Sequence, residues 1–161
     1  MDKRYILIFL IIVVCCFNLY LIASSSDIVG SASVNFKEYT FSLPSDFTMY
    51  ESSDNYIIIY NPHFGYTSLL YNKWGYEHEL HRLGNDSNCV ILSNGPIQVN
   101  NITVSSIFYR TSDDNNHSIF IFDKLDKTFR VEMWHFNYDN RNASITIISD
   151  IVESLRPNKL Y

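Results

Sequence analysis

Hydrophobic and polar positions follow three patterns along this chain, and each predicts a different kind of element. The first is an unbroken run: Tyr5–Ala23 holds nineteen residues without a charge, and Asn18 is its one strongly polar side chain. At about 1.5 Å per residue a helix of that length reaches ~29 Å, close to the ~30 Å hydrocarbon thickness of a bilayer. The second pattern is alternation by twos, which begins at Tyr39-Thr40-Phe41-Ser42-Leu43 and is the period of a half-buried strand. The third is helical spacing, found in Trp74–Gly84 and again from Ile145 to Leu155.

Read in order, the alternating part predicts strands at Tyr39–Leu43, Phe47–Tyr50, Tyr56–Tyr60, Thr67–Tyr71, Cys89–Leu92 and Ile97–Val99. Tyr56–Tyr60, YIIIY, reads as buried on both faces, and Ser93–Pro96 as a turn. Two hairpins follow. Ile97–Val99 and Ile102–Arg110 flank Asn100-Asn101, residues that tolerate the positive φ of a tight turn, and Ser118–Asp123 and Thr128–Phe136 flank Lys124–Lys127. In the middle helix Tyr76, Leu80 and Leu83 share a face, with Glu77, His78, Glu79 and Arg82 largely off it, and Gly84 ends it. Thr111–Asn116 and Asn137–Asn142 read as polar loops. Ile145, Ile148, Ile151, Val152 and Leu155 form the apolar stripe of a closing helix that Pro157 stops. The expected fold is α+β: an antiparallel sheet of about six to eight strands with a short middle helix and a C-terminal helix packed on it, preceded by a transmembrane helix.

Lys3 and Arg4 stand just before the apolar run, and the first charge after it is Asp27. The positive-inside rule then gives a single-pass protein of the cell membrane: 1–4 a cytoplasmic tail, 5–23 a signal anchor, 24–33 a Ser-rich linker, and 34–161 an extracytoplasmic domain. Ala23-Ser24-Ser25 offers the small residues of a signal-peptide cut, so a secreted soluble domain is the alternative. A lipoprotein fits poorly, because Cys15 and Cys16 lie mid-run behind valines.

Charge and cysteine content narrow the partners. The chain carries 12 Lys+Arg and 17 Asp+Glu; without Asp2, Lys3 and Arg4 the exported part keeps 10 against 16. No basic stripe marks a nucleic-acid surface. Outside the apolar run Cys89 is the lone cysteine, so the domain holds by packing without an internal disulfide, and Cys89 itself reads as a small buried residue.

Three stretches carry a resemblance. Phe41-Ser42-Leu43-Pro44-Ser45-Asp46-Phe47 is similar to the strand–proline–aromatic opening of the PsbP/Mog1-like domain, Ser118–Arg130 to its central hairpin, and Ile148–Pro157 to its closing helix. The resemblance spans about 39–157. It implies an antiparallel sheet with helices packed on it, and a non-catalytic scaffold. Members of that superfamily serve as accessory or binding subunits, from photosystem assembly to nuclear transport factors. No partner-binding residue transfers to this chain.

The candidate chemistry is sparse. Glu77-His78-Glu79-Leu80-His81 spaces its histidines three apart where the zinc-protease helix needs four, and no third ligand adjoins them, so no metal and no cofactor is expected. No G-x-S-x-G elbow or phosphate-binding glycine loop occurs among five glycines. The densest aromatic cluster, Phe64, Tyr66, Tyr71, Trp74 and Tyr76, is the candidate binding face for an envelope polymer or a membrane-protein partner. Asn85, Asn101, Asn116 and Asn142 open Asn-x-Ser/Thr triplets in expected loops or turns, the form of glycosylation acceptors. The expected role is a membrane-anchored, non-catalytic binding or accessory domain. An envelope-acting hydrolase and a weak metal-binding protein are the competing readings.

Overall fold

A computed structural model describes residues 32–71, 74–135 and 141–158. The tail, the apolar run 5–23 and most of the serine-rich stretch lie outside the described residues, as do Phe136 and 137–140 of the expected loop. Among the described residues no helix is long and apolar enough to cross a membrane.

The elements are β1 (Ser33–Phe36), β2 (Tyr39–Ser42), β3 (Thr48–Ser52), β4 (Tyr56–Asn61), β5 (Gly65–Tyr71), α1 (Gly75–Gly84), β6 (Cys89–Val99), β7 (Ile102–Thr111), β8 (Asn116–Lys124), β9 (Lys127–His135), α2 (Arg141–Ser154) and β10 (Arg156–Pro157). They form an α+β fold with two antiparallel sheets. Seven strands run in the order β3-β4-β5-β9-β8-β7-β6, and three run β1-β2-β10. One face of the large sheet, called inner here, meets α2 and the small sheet. Ile57, Ile59, Leu69, Phe120, Phe122, Phe129, Val131 and Met133 bury against Ile148, Ile151 and Val152 of α2 and Phe36 and Phe41 of the small sheet.

Turn chemistry sets the register of the two long hairpins. Asn100 and Asn101 take φ of 46° and 65°, and Leu125 and Asp126 take 55° and 59°, the paired left-handed positions of a two-residue hairpin turn. The expected four-residue connection at Lys124–Lys127 is therefore two residues, with Lys124 and Lys127 paired. Gly65 is needed where it stands. Its φ is 133°, and a Cβ there would lie 1.9 Å from the Trp134 carbonyl oxygen.

The β-branched stripe of α2 gains its stability from packing and from polar ties to neighbouring elements. The Ser42 N–H donates to Ser154 Oγ at 3.0 Å, Asn100 Nδ2 donates to Ser149 Oγ at 3.3 Å, and the Lys124 ammonium donates to the Val152 carbonyl near the helix end.

Several expectations are corrected. Ser33 belongs to β1 and not to the linker, and neither β1 nor β10 is predicted by the alternation. Cys89–Val99 is one bulged strand and not two strands around a turn. It is an edge strand, where Pro96 removes no ladder hydrogen bond. Tyr56–Tyr60 alternates buried and half-buried positions and is not buried on both faces. Glu79 faces the sheet and is 5% exposed. Cys89 is half-buried, with its thiol pushed up by burial and by Asp86 beside it.

Candidate functional site: the outer face of the sheet

The site builds from strand register. Directly paired residues of neighbouring strands project from the same face. Pairing runs Tyr60–Tyr66–Trp134–His117–Tyr109 across β4, β5, β9, β8 and β7, which lays one aromatic row over the outer face. Tyr60 and Tyr66 have ring centroids 4.8 Å apart, Tyr109 and His117 stack at 4.8 Å, and Tyr50 of β3 approaches Tyr66 at 5.0 Å. The next row holds Ile58, Ser68, Glu132 and Ile119, and the row beyond it Tyr56, Leu70, Arg130 and Ile121.

Helix α1 covers one end of this face. Leu83 is buried with Ile107, Tyr109, Ile119 and Ile121, and Tyr76 and Leu80 pack against them. Towards β4 and β5 the outer side chains Tyr56, Ile58, Tyr60, Tyr66 and Leu70 remain half-buried, and Tyr50 is 60% exposed.

A chain of alternating charges marks the boundary between the two halves. Arg82 Nη2 donates to Glu79 Oε2 at 2.8 Å, Arg130 Nε to Glu79 Oε1 at 3.0 Å, and Arg130 Nη1 to Glu132 Oε2 at 2.9 Å. The Tyr109 hydroxyl donates to Glu132 Oε1 at 2.6 Å. Arg130 lies between two carboxylates in a nearly dry site, and Arg82, its side chain 45% exposed at the rim, balances the second of them, Glu79. Burial and the adjoining Glu132 carboxylate push the Tyr109 hydroxyl far above its ordinary pKa, so it stays a donor. Burial depresses His117, although Glu132 draws it the other way.

Beside this network a cleft of about 370 Å³ opens between Lys37, Asn55, Leu70, Tyr71 and Trp74, with Glu79 and Arg130 among its lining residues. Trp74 is 66% exposed, and its ring stacks on His78 at 5.0 Å. Lys37 holds its ammonium 4.5 Å from the Tyr71 ring centre.

The five residues of the expected binding face divide among four places. Tyr71 and Trp74 share the cleft. Tyr66 stands in the aromatic row, and Tyr76 donates to Asn94 Oδ1 at 3.0 Å from α1. Phe64 is buried on the inner side between Phe47 and His135. Of the asparagine triplets, Asn85 and Asn101 are exposed at a helix end and a hairpin turn. Asn142 lies in the first turn of α2, and Asn116 opens β8 with its Oδ1 buried, so neither is a loop residue. His78 and His81 are exposed on α1, and among the described residues no cluster of three His, Cys, Asp or Glu side chains could hold a metal ion.

A second polar group lies under the sheet. Ser118 Oγ sits 2.5 Å and Ser144 Oγ 3.2 Å from His135 Nε2, and both serines are fully buried. Burial holds the imidazole pKa down to about 4. A sealed serine cannot reach a substrate, so this group joins β8, β9 and α2 and is not a nucleophile–base pair.

No protein-family model and no curated protein matches the chain. Its fold resembles solved structures at low identity. A Bacteroides thetaiotaomicron VPI-5482 protein is 12% identical with a TM-score of 0.47, over 76% of this chain and 46% of that one. The PsbP (CyanoP) of the cyanobacterium Synechocystis sp. PCC 6803 is 9% identical with a TM-score of 0.49, over 78% of this chain and 90% of that one. This chain thus spans less than half the length of the Bacteroides protein. The PsbP-like resemblance is weak and concerns the fold alone.

Proposed function

We propose that this is a membrane-anchored extracytoplasmic binding module of accessory type, without catalysis of its own, whose outer sheet face holds an envelope polysaccharide. One observation carries the reading: Tyr50, Tyr60, Tyr66 and Trp134 stand together on the part of the sheet away from α1, and the exposed Trp74 stands at the cleft beyond. Aromatic planes with a negative face attract the C–H faces of sugar rings, while hydroxyls need polar neighbours. Tyr56 and Asn55 supply such groups along the same surface. Tyr66 and Leu70 are four residues apart on β5, so the face runs ~13 Å before the cleft begins, which favours an extended ligand over a compact one. A hydrolase needs carboxylates available to a substrate, whereas Glu79 and Glu132 are each bound by a guanidinium. The anchor rests on Lys3 and Arg4 before the uncharged run Tyr5–Ala23.

Co-sedimentation of the full chain, in detergent, with insoluble envelope polysaccharide tests this. Retention should fall at least about tenfold for Trp74→Ala and for Tyr66→Ala, each with an unchanged circular dichroism spectrum. Retention equal to that of the parent chain in both variants contradicts the face. Retention that disappears when the polymer is stripped of protein contradicts the polysaccharide and indicates a protein partner.

A further inference from the structure

We propose a second, separate ligand site for a small hydroxycarboxylate, in the cavity between β6–β8 and the start of α2. The cavity measures about 170 Å³, close to the ~150 Å³ that accommodates benzene, so it suits a molecule of about six to eight non-hydrogen atoms. Leu92 and Phe108 give it an apolar wall, and among the described residues no Asp or Glu lines it.

Three groups on that wall lack a counterpart among the described residues, the first being His117 Nδ1, buried without a hydrogen-bond partner and 4.0 Å from Glu132 Oε1. The Arg141 guanidinium lies 4.6 Å from the Phe108 ring centre and has no carboxylate partner among the described residues. Asn116 Oδ1 is buried without a hydrogen-bond donor. A buried acceptor left unpaired is costly, and native structures seldom leave one so. The guanidinium fork matches a carboxylate in two parallel hydrogen bonds. The asparagine oxygen requires a donor on the same ligand. A hydroxyl meets that need without charge, whereas an ammonium would bring a second cation beside Arg141. His135 closes the cavity with its Nε2 already engaged by Ser118 and Ser144, so it contributes shape and no further charge.

Calorimetric titration of the full chain with 2-hydroxybutyrate, butyrate and 2-aminobutyrate tests the site. The hydroxy acid should bind tightest. Arg141→Gln should weaken it at least about tenfold, and Asn116→Leu should reduce it to the affinity of butyrate while leaving butyrate unchanged. Arg141 is exposed, so its replacement leaves the fold intact and keeps the test interpretable. No heat of binding at about 10 mM 2-hydroxybutyrate overturns the proposal, as does equal affinity in parent and both variants. Tighter binding of 2-aminobutyrate than of 2-hydroxybutyrate overturns the ligand class.

Discussion

Acid should loosen this domain through His135. The imidazole is 6% exposed, bonded to Ser118 and edge-on to Phe64 at 4.8 Å, and burial lowers its pKa from 6.5 to about 4, with His117 a smaller cause. The unfolded chain takes up a proton as the pH falls through about 6.5, while the folded chain refuses it until about 4. Stability from this group is therefore complete above pH 6.5 and is lost across the window down to about 4. A pKa lowered from 6.5 to about 4 corresponds to roughly 3 kcal/mol in all, most of which should disappear between about pH 7.5 and 4.5. Urea unfolding followed by circular dichroism at those two pH values measures it. His135→Gln keeps a hydrogen bond to Ser118 but cannot titrate, so it should begin about 1–2 kcal/mol less stable and then lose far less on acidification. His117 is also depressed by burial and acts in the same direction, which is why the difference between the two proteins is the informative quantity. Equal losses in parent and variant would refute the assignment to His135.

Other perturbations should separate fold from surface. Glu79→Leu strands Arg130 against one remaining carboxylate in a nearly dry site and should cost roughly 3–5 kcal/mol in urea unfolding, whereas Arg82→Met, at a side chain 45% exposed, should cost about 1 kcal/mol or less. Gly65→Ala should destabilise by at least about 2–3 kcal/mol, because its methyl group meets the Trp134 carbonyl at a φ that alanine avoids; a neutral result would contradict the register of β5 and β9. Protease added to intact cells should digest the domain; protection of the domain together with cleavage of the N-terminus would reverse the proposed topology.

Much of the fold was legible because it rests on local periodicity. The stripe from Ile145 to Leu155 predicts α2, and Asn100-Asn101 between apolar runs predicts the β6–β7 hairpin, turn included. The helix Trp74–Gly84 matches α1 within one residue. What escaped depends on tertiary pairing. β1 and β10 are short and gain stability only beside β2, so they leave little periodic signal. The Glu79–Arg130–Glu132–Tyr109 network joins four positions that no local rule connects. A hint was present in Phe129–His135, where Arg130 and Glu132 alternate with Phe129, Val131 and Met133; paired charges in an otherwise core-like strand mark a face with its own polar work. The aromatic cluster Phe64–Tyr76 was visible as composition, but Phe64 lies in the turn before β5 and packs into the inner core, whereas Tyr66 of β5 stands on the outer face. The row actually formed draws Tyr60 and Trp134 from separate strands through register.

The two tryptophans of the chain, Trp74 and Trp134, both stand on the proposed polysaccharide face, which makes intrinsic fluorescence a direct report of its occupancy. Titration of the full chain with soluble oligosaccharides released from the envelope polymer should shift and saturate the emission of the parent protein. In Trp74→Phe a saturable change from Trp134 should persist, because the ligand covers the aromatic row as well as the cleft. Emission that stays flat through the titration, while the same oligosaccharides compete the chain off the insoluble polymer, would place binding elsewhere and contradict the account.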